Sequence, residues 1–229
     1  YLYTGDISTL NGLYQSGFEP PEADVLIIES TYGTSQYRFP PRNDIEDTIV
    51  DWLEDSTDSP VLLFGYTLGR AQELEQLARR AGRQRIFVTD AIARIDSILE
   101  QHLGLELPGQ RFPDEVNLTS GDALILPSQT NNLAFVDALQ NNTNAIKAGF
   151  SGWAVDASYR FARDLDVAFP LSDHCDFEEL LAVVRAVDPQ QIFTIHGFVD
   201  EFAAAIESHL GYPARALKQN QMSLDEFDP

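Results

Sequence analysis

Ile192-Phe193-Thr194-Ile195-His196, followed by the amphipathic stretch Phe202–Leu210 and a stop at Gly211, is one strand and one helix in succession. The same pair recurs along the chain. Candidate strands are Val25–Glu29, Val61–Phe64, Arg85–Thr89, Ala123–Leu126, Ala145–Phe150 and Val167–Leu171, and Tyr1–Asp6 reads as a strand and turn. Between them lie helical patterns over Ile45–Leu53, with Asn43 and Asp44 as caps, Ala71–Ala81 stopped by Gly82, and Ile92–Leu103 stopped by Gly104. Asp176 and Glu179 stand three apart, as a capping box requires, at the start of a helix over Phe177–Val187. Strand and helix in alternation predict an α/β fold with mainly parallel strands and helices on the sheet faces.

The 229 residues, 44% apolar, suffice for a large core or for a core with a smaller companion domain. No apolar run approaches the roughly 20 residues that span a bilayer, and no internal repeat is visible. The single cysteine, Cys175, excludes an intrachain disulfide and fits a cytoplasmic setting; without a second soft ligand nearby it reads as a buried, inert thiol. A formal charge of −21, spread over the whole chain, argues by itself against a nucleic-acid partner, because phosphate contact needs basic surface. With Lys147 and Lys218 as its only lysines, the chain also suits a cytoplasm of very high salt. Tyr37–Asn43, with Pro40 and Pro41, reads as a crossing between domains; a second crossing falls at Gln129–Asn132 or at Gln140–Asn144.

Four ionisable residues fall at or just after the ends of apolar runs: Asp6 after Leu2-Tyr3-Thr4-Gly5, Glu29 after Val25–Ile28, His174 after Val167–Leu171, and His196 after Ile192–Ile195. In parallel sheets ligands gather at the carboxyl ends of strands, so these four are candidates for one crevice. Each also has an ordinary reading: a turn tripeptide at Thr4-Gly5-Asp6, a cap at Glu29, structural histidines at 174 and 196. Gly69-Arg70-Ala71-Gln72 opens a helix and is either an anion site or a plain tight turn. His102 and His209, near helix C-termini, suit the helix dipole.

The runs Tyr3-Thr4-Gly5-Asp6, Ile28-Glu29-Ser30-Thr31-Tyr32-Gly33, Gly69-Arg70-Ala71-Gln72-Glu73-Leu74, Ser151-Gly152-Trp153, Leu171-Ser172-Asp173-His174 and Ile195-His196-Gly197 occur in the order found in β-CASP nucleases of the metallo-β-lactamase fold. The chain resembles that family, which includes RNA 3′-end cleavage endonucleases, RNase J-type enzymes, DNA interstrand-crosslink nucleases and ligase-associated DNA exonucleases. The resemblance implies part of an αββα sandwich interrupted by a β-CASP domain. Its boundaries would be residues 1–36 and 151–229 for the metallo-β-lactamase part and 37–150 for the insert.

It further implies a metal-dependent phosphodiesterase with two zinc ions. Asp6 and His196 would be metal ligands, His174 the proton donor to the leaving oxygen, and Glu29 its orienting partner. Gly69, Arg70 and Ser172 would contact the substrate. A carboxylate beside an imidazole fixes its tautomer and favours its charged form. The implied partners are DNA or RNA, a second copy of the chain, and a DNA ligase or an RNA-processing protein.

Two features depart from the family. The HxHxDH loop that supplies most of its metal ligands cannot be made from histidines at 102, 174, 196 and 209. The chain is therefore expected to be a fragment, inactive alone, of a longer nuclease; the alternative is a natural, catalytically inactive β-CASP protein that binds a nucleic acid or a protein. Ser-Asp-His-Cys-Asp around His174 and Phe198 after Gly197 point toward the ligase-associated exonucleases and archaeal RNA 3′-end processing factors. A thioester or lactam hydrolase of the same fold is weaker, since those lack the insert.

Overall fold

A computed structural model describes residues 1–113 and 117–217, so that Lys218 lies outside the described residues. In chain order the elements are β1 Leu2–Tyr3, β2 Val25–Ser30, α1 Arg42–Asp55, β3 Val61–Gly65, α2 Arg70–Arg80, β4 Arg85–Val88, α3 Asp90–Leu103, β5 Gln110–Arg111, β6 Asp122–Pro127 and α4 Ala134–Thr143. They continue with β7 Ile146–Phe150, α5 Ser158–Ala162, β8 Val167–Phe169, α6 Phe177–Val187, β9 Gln191–Gly197, α7 Val199–Leu210 and β10 Ala214–Ala216.

Every strand pairing among the described residues is parallel. The described residues divide into two compact units, one formed by residues 1–9, 18–38 and 174–217, the other by residues 10–17, 39–113 and 117–173. Residues 151–173 group by contacts with the larger sheet, because β8 pairs with β7.

The first unit is built on a four-stranded sheet in the order β1-β2-β9-β10. Leu26, Ile28 and Ile192 bury one face of it against Phe177, Leu180, Leu181 and Val184 of α6 and Phe202 and Ile206 of α7. These residues recur at three- and four-residue spacing, which lines one helical face. The capping box forms as the sequence suggests: Glu179 N–H donates to Asp176 Oδ1 at 2.9 Å, and Asp176 N–H donates to Glu179 Oε2 at 2.9 Å. Glycines at 104 and 211 close α3 and α7 in the left-handed region.

In the second unit the order is β5-β4-β6-β3-β7-β8. Val61 and Leu63 face α1 and α2, while Leu62 and Phe64 face Val136 of α4, so helices cover both sides of the sheet. That is why Val61–Gly65 reads as an unbroken apolar run. The chain winds from β3 outward to β4, returns through β6, and crosses to β7 on the other side of β3. The strands around β3 are thus a topological switch point. Helix α1 departs from expectation in its start: it begins at Arg42 after Pro41 with no side-chain cap, and Asn43 and Asp44 sit inside the first turn.

Candidate active site

Three of the four ionisable groups at strand ends meet. One ligand atom each from Asp6, Glu29 and His174 lie within 4.8 Å of one another, the one such acidic and histidine group among the described residues. Glu29 is fully buried, and His174 Nδ1 lies 3.0 Å from both its carboxylate oxygens. The carboxylate is held from the backbone as well, accepting from Ile7 N–H at 2.9 Å and from Thr31 N–H at 3.4 Å. Burial alone would raise the Glu29 pKa, but the hydrogen bonds from His174 and Thr31, the imidazole charge and the Ile7 N–H together outweigh it and hold the carboxyl below its usual range. Glu29 therefore stays ionised at neutral pH and fixes the ring tautomer, with a proton on Nδ1. Tyr32 packs edge-on against the imidazole, centroids 6.0 Å apart.

Asp6 is presented by a turn. Gly5 has φ +58, and the Thr4 hydroxyl donates to the Gly5 carbonyl at 2.7 Å while accepting the Glu29 N–H at 3.2 Å. Asp6 itself is exposed. Thr4-Gly5-Asp6 forms the turn its composition suggests, whereas the hold of the Thr4 hydroxyl and the Ile7 N–H on Glu29, 25 and 22 positions away, has no local signal.

His196 stands outside the three-residue group, exposed at the same carboxyl edge on β9. The register with β2 shifts there, and His196 takes φ +58. Its carbonyl is 2.5 Å from Ser30 Oγ, and a Cβ on Gly197 would lie 2.5 Å from the Ser30 carbonyl, so only glycine fits the next position.

The expected substrate contacts lie in the second unit. Gly69 has φ +88, and its N–H donates to Gln72 Oε1 at 2.7 Å. Arg70, only 2% exposed, is turned inward: its guanidinium pairs with Glu73 and, at 2.9 Å, with Asp173. The anion it binds is thus its own carboxylates, which makes it a positioning residue for the Asp173 loop. Arg42 also pairs with Glu73 and donates to the Ser172 carbonyl at 3.3 Å. Burial nevertheless outweighs both guanidiniums and raises the Glu73 carboxyl. Cys175 is buried, and burial, with Glu179 nearby, pushes its thiol up to about 12, as suits an inert residue.

As donors, a carboxylate oxygen from Asp6 and an imidazole nitrogen from His196 fit zinc in kind. Glu29 does not, because both its oxygens are engaged with His174 and the backbone. In number the set falls short of the four ligands zinc ordinarily takes.

Residues 167–217 match the family described as the Zn-dependent metallo-hydrolase RNA specificity domain. The chain is similar to a protein named probable DNA ligase from Opitutus terrae, 33% identical over 226 residues, 97% of this chain and 22% of that protein. It is similar to an RNase J-like protein of Methanocaldococcus jannaschii, 35% identical over 77 residues, 32% of this chain and 18% of the relative. A third relative is endoribonuclease YSH1 of Mycosarcoma maydis, 43% identical over 77 residues, 32% of this chain and 8% of the relative. The chain thus spans at most 22% of the length of these three relatives. With parallel sheets, flanking helices and this matched domain, the chain belongs to the metallo-β-lactamase β-CASP family.

Proposed function

We propose that the protein is a metal-dependent nuclease that hydrolyses phosphodiester bonds of DNA or RNA, with Glu29 and His174 as its proton-delivering pair. The observation that carries this reading is the buried carboxylate bonded to His174 Nδ1, with Asp6 beside both at one strand edge. Asp6 and His196 would hold zinc together with ligands from the rest of the complete protein. Zinc, when bound, supplies Lewis-acid polarisation of the phosphate.

In hydrolysis the oxygen of water joins phosphorus and the P–O bond to the departing strand breaks. The departing oxygen takes its proton from His174 Nε2, and the ring recovers one from the water consumed. Ionised Glu29 stabilises the imidazolium throughout without itself changing protonation. A positioned general acid contributes roughly 10²–10⁴-fold to such a step. A high-salt cytoplasm, and a DNA ligase or RNA-processing partner, belong to the same proposal; the names of the relatives and the acidic surface support them.

The test is digestion of end-labelled single-stranded DNA and RNA by the complete protein and by its His174→Ala variant. Turnover should fall about 10²–10⁴-fold in the variant while bound zinc, measured by elemental analysis, stays near the wild-type level. A variant with unchanged turnover would remove His174 from the chemistry. A wild-type protein with neither zinc nor turnover would be the inactive β-CASP binding protein instead.

A further inference from the structure

The second unit holds a cavity of its own, about 310 Å³, in which neither Glu29 nor His174 takes part. It opens at the carboxyl ends of β3, β6 and β7, where Phe64, Ser128 and Phe150 line it. That is the switch point around β3, the place where a doubly wound parallel sheet leaves a crevice between connections that run to opposite faces.

Its walls combine flat aromatic surface with amides. Tyr66, just past β3, is 71% exposed at the rim, and Trp153 and Tyr159 complete an aromatic side. Asn131 supplies the polar side. It is only 7% exposed, its Nδ2 donates to the Arg163 carbonyl, and its Oδ1 is buried with no hydrogen-bond partner. An orphaned buried acceptor is costly, so one on a residue that lines a cavity calls for a donor. Arg163 lies over the Tyr159 ring, its guanidinium carbon 5.9 Å from the centroid, and is paired with no carboxylate among the described residues. The volume sits at the small end of ligand sites, roughly 300–1,000 Å³, which admits one heterocycle with its sugar and excludes a base pair.

We propose that this pocket binds one unpaired nucleotide: its base against Tyr66 and Trp153, a base N–H or amine donating to Asn131 Oδ1, and its phosphate beside Arg163. The assignment rests on the reading above that the substrate is a nucleic acid, and it specifies a single-stranded one. Stacking on aromatic side chains with a nearby arginine is how single strands are held without a duplex. The same chemistry is offered by a free nucleotide and by a nucleotide within a strand.

Binding is measured on the complete protein in chelator, where hydrolysis is silent. The probes are adenosine monophosphate, a labelled five-nucleotide single strand, and ribose 5-phosphate. The first two should bind and the third should not. Tyr66→Ala, a change at an exposed side chain, should weaken both by roughly tenfold, and Asn131→Ala should do the same. Binding of the strand alone places the site on the substrate's path, whereas binding of the mononucleotide alone makes it a free-nucleotide site; either supports the pocket. Unchanged affinities in Tyr66→Ala, or equal binding of ribose 5-phosphate, overturn it. If nucleotide affinity depends on Tyr66 while wild-type turnover is absent, the pocket stands and the nuclease reading falls. If turnover depends on His174 while Tyr66→Ala leaves KM and affinity alone, the nuclease reading stands and the pocket falls.

Discussion

Replacing Glu75 by Gln should stabilise the second unit, and more so as the pH rises. Glu75 on α2 and Asp96 on α3 are both buried, and they face each other with one orphaned oxygen each, Glu75 Oε1 and Asp96 Oδ2. Their other oxygens are satisfied: Gly109 N–H donates to Glu75 Oε2 at 2.8 Å, and Gln72 Nε2 donates to Asp96 Oδ1 at 2.7 Å. Burial, reinforced by the Asp96 charge, pushes the Glu75 carboxyl up from 4.5 to about 8, and burial raises Asp96 as well. The pair therefore shares a proton near neutral pH.

Because the folded protein holds that proton more tightly than the unfolded chain, its stabilising effect is full below pH 4.5 and is lost as the pH rises toward 8. At 1.36 kcal/mol per tenfold change in proton affinity, the loss across that window is on the order of 4 kcal/mol. In Glu75→Gln the amide oxygen keeps the Gly109 bond, and its NH₂ donates to Asp96, which then ionises beside a donor instead of a second carboxyl. The variant should match the wild type near pH 4.5 and exceed it by about 1–3 kcal/mol at pH 8. Urea unfolding followed by tryptophan fluorescence reads this unit directly, since Trp52 and Trp153 both lie in it. A difference between the two proteins that does not change with pH, or a wild type that gains stability from pH 4.5 to 8, would refute the shared proton.

Gly197→Ala should destabilise the first unit by about 1–3 kcal/mol or more, since it adds a Cβ at φ +67 against the Ser30 carbonyl; thermal unfolding checks it, and a neutral result would mean the β9 end relaxes freely. Raising KCl from 0.1 to 2 M should raise the unfolding midpoint, because 36 acidic residues face 15 basic ones and at about 1 M the screening length falls to roughly 3 Å; a falling midpoint would mean that surface ion pairs such as Arg38–Glu178 outweigh the repulsion among the acids.

What was legible in the sequence follows from how each feature is encoded. Apolar runs with clear ends, such as Val25–Ser30 and Val61–Gly65, give strands, buried at every position in the second and at alternate positions in the first half of the first. β5 and β10 were not anticipated, being two and three residues long with no periodicity to see. Helix α4 fell on a stretch read in part as a domain crossing. It buries only Val136 fully, and it ends on Asn144 at φ +52 where a glycine would have announced the stop. The meeting of Asp6, Glu29 and His174 was legible because all three sit at or just after strand ends. The pairing of Arg70 was not: nothing local in Gly69-Arg70-Ala71-Gln72 reveals that Asp173, 103 positions away, claims its guanidinium. Tyr66 follows a correctly read strand, so the carboxyl-end rule alone could have placed it at a crevice.

The charge of −21 and the proposed nucleic-acid substrate pull in opposite directions, and the placement of cations decides how. Arg70 and Lys147 are buried and paired with Asp173 and Asp164, and Arg83 is buried with its guanidinium donating to the Leu53 and Ser59 carbonyls. None of these three can neutralise phosphate. The affinity of a basic protein falls steeply with salt because each neutralised phosphate of a single strand contributes a log–log slope of about −0.7. With Arg163 as the cation at the proposed pocket, the slope should lie near about −0.7, so that a tenfold rise in KCl weakens a five-nucleotide strand by roughly fivefold, while base stacking persists. Anisotropy titrations from 0.2 to 2 M KCl measure that slope. A value of −3 or steeper would mean that several further cations engage the strand, and the pocket with its aromatic wall would then not be what holds it.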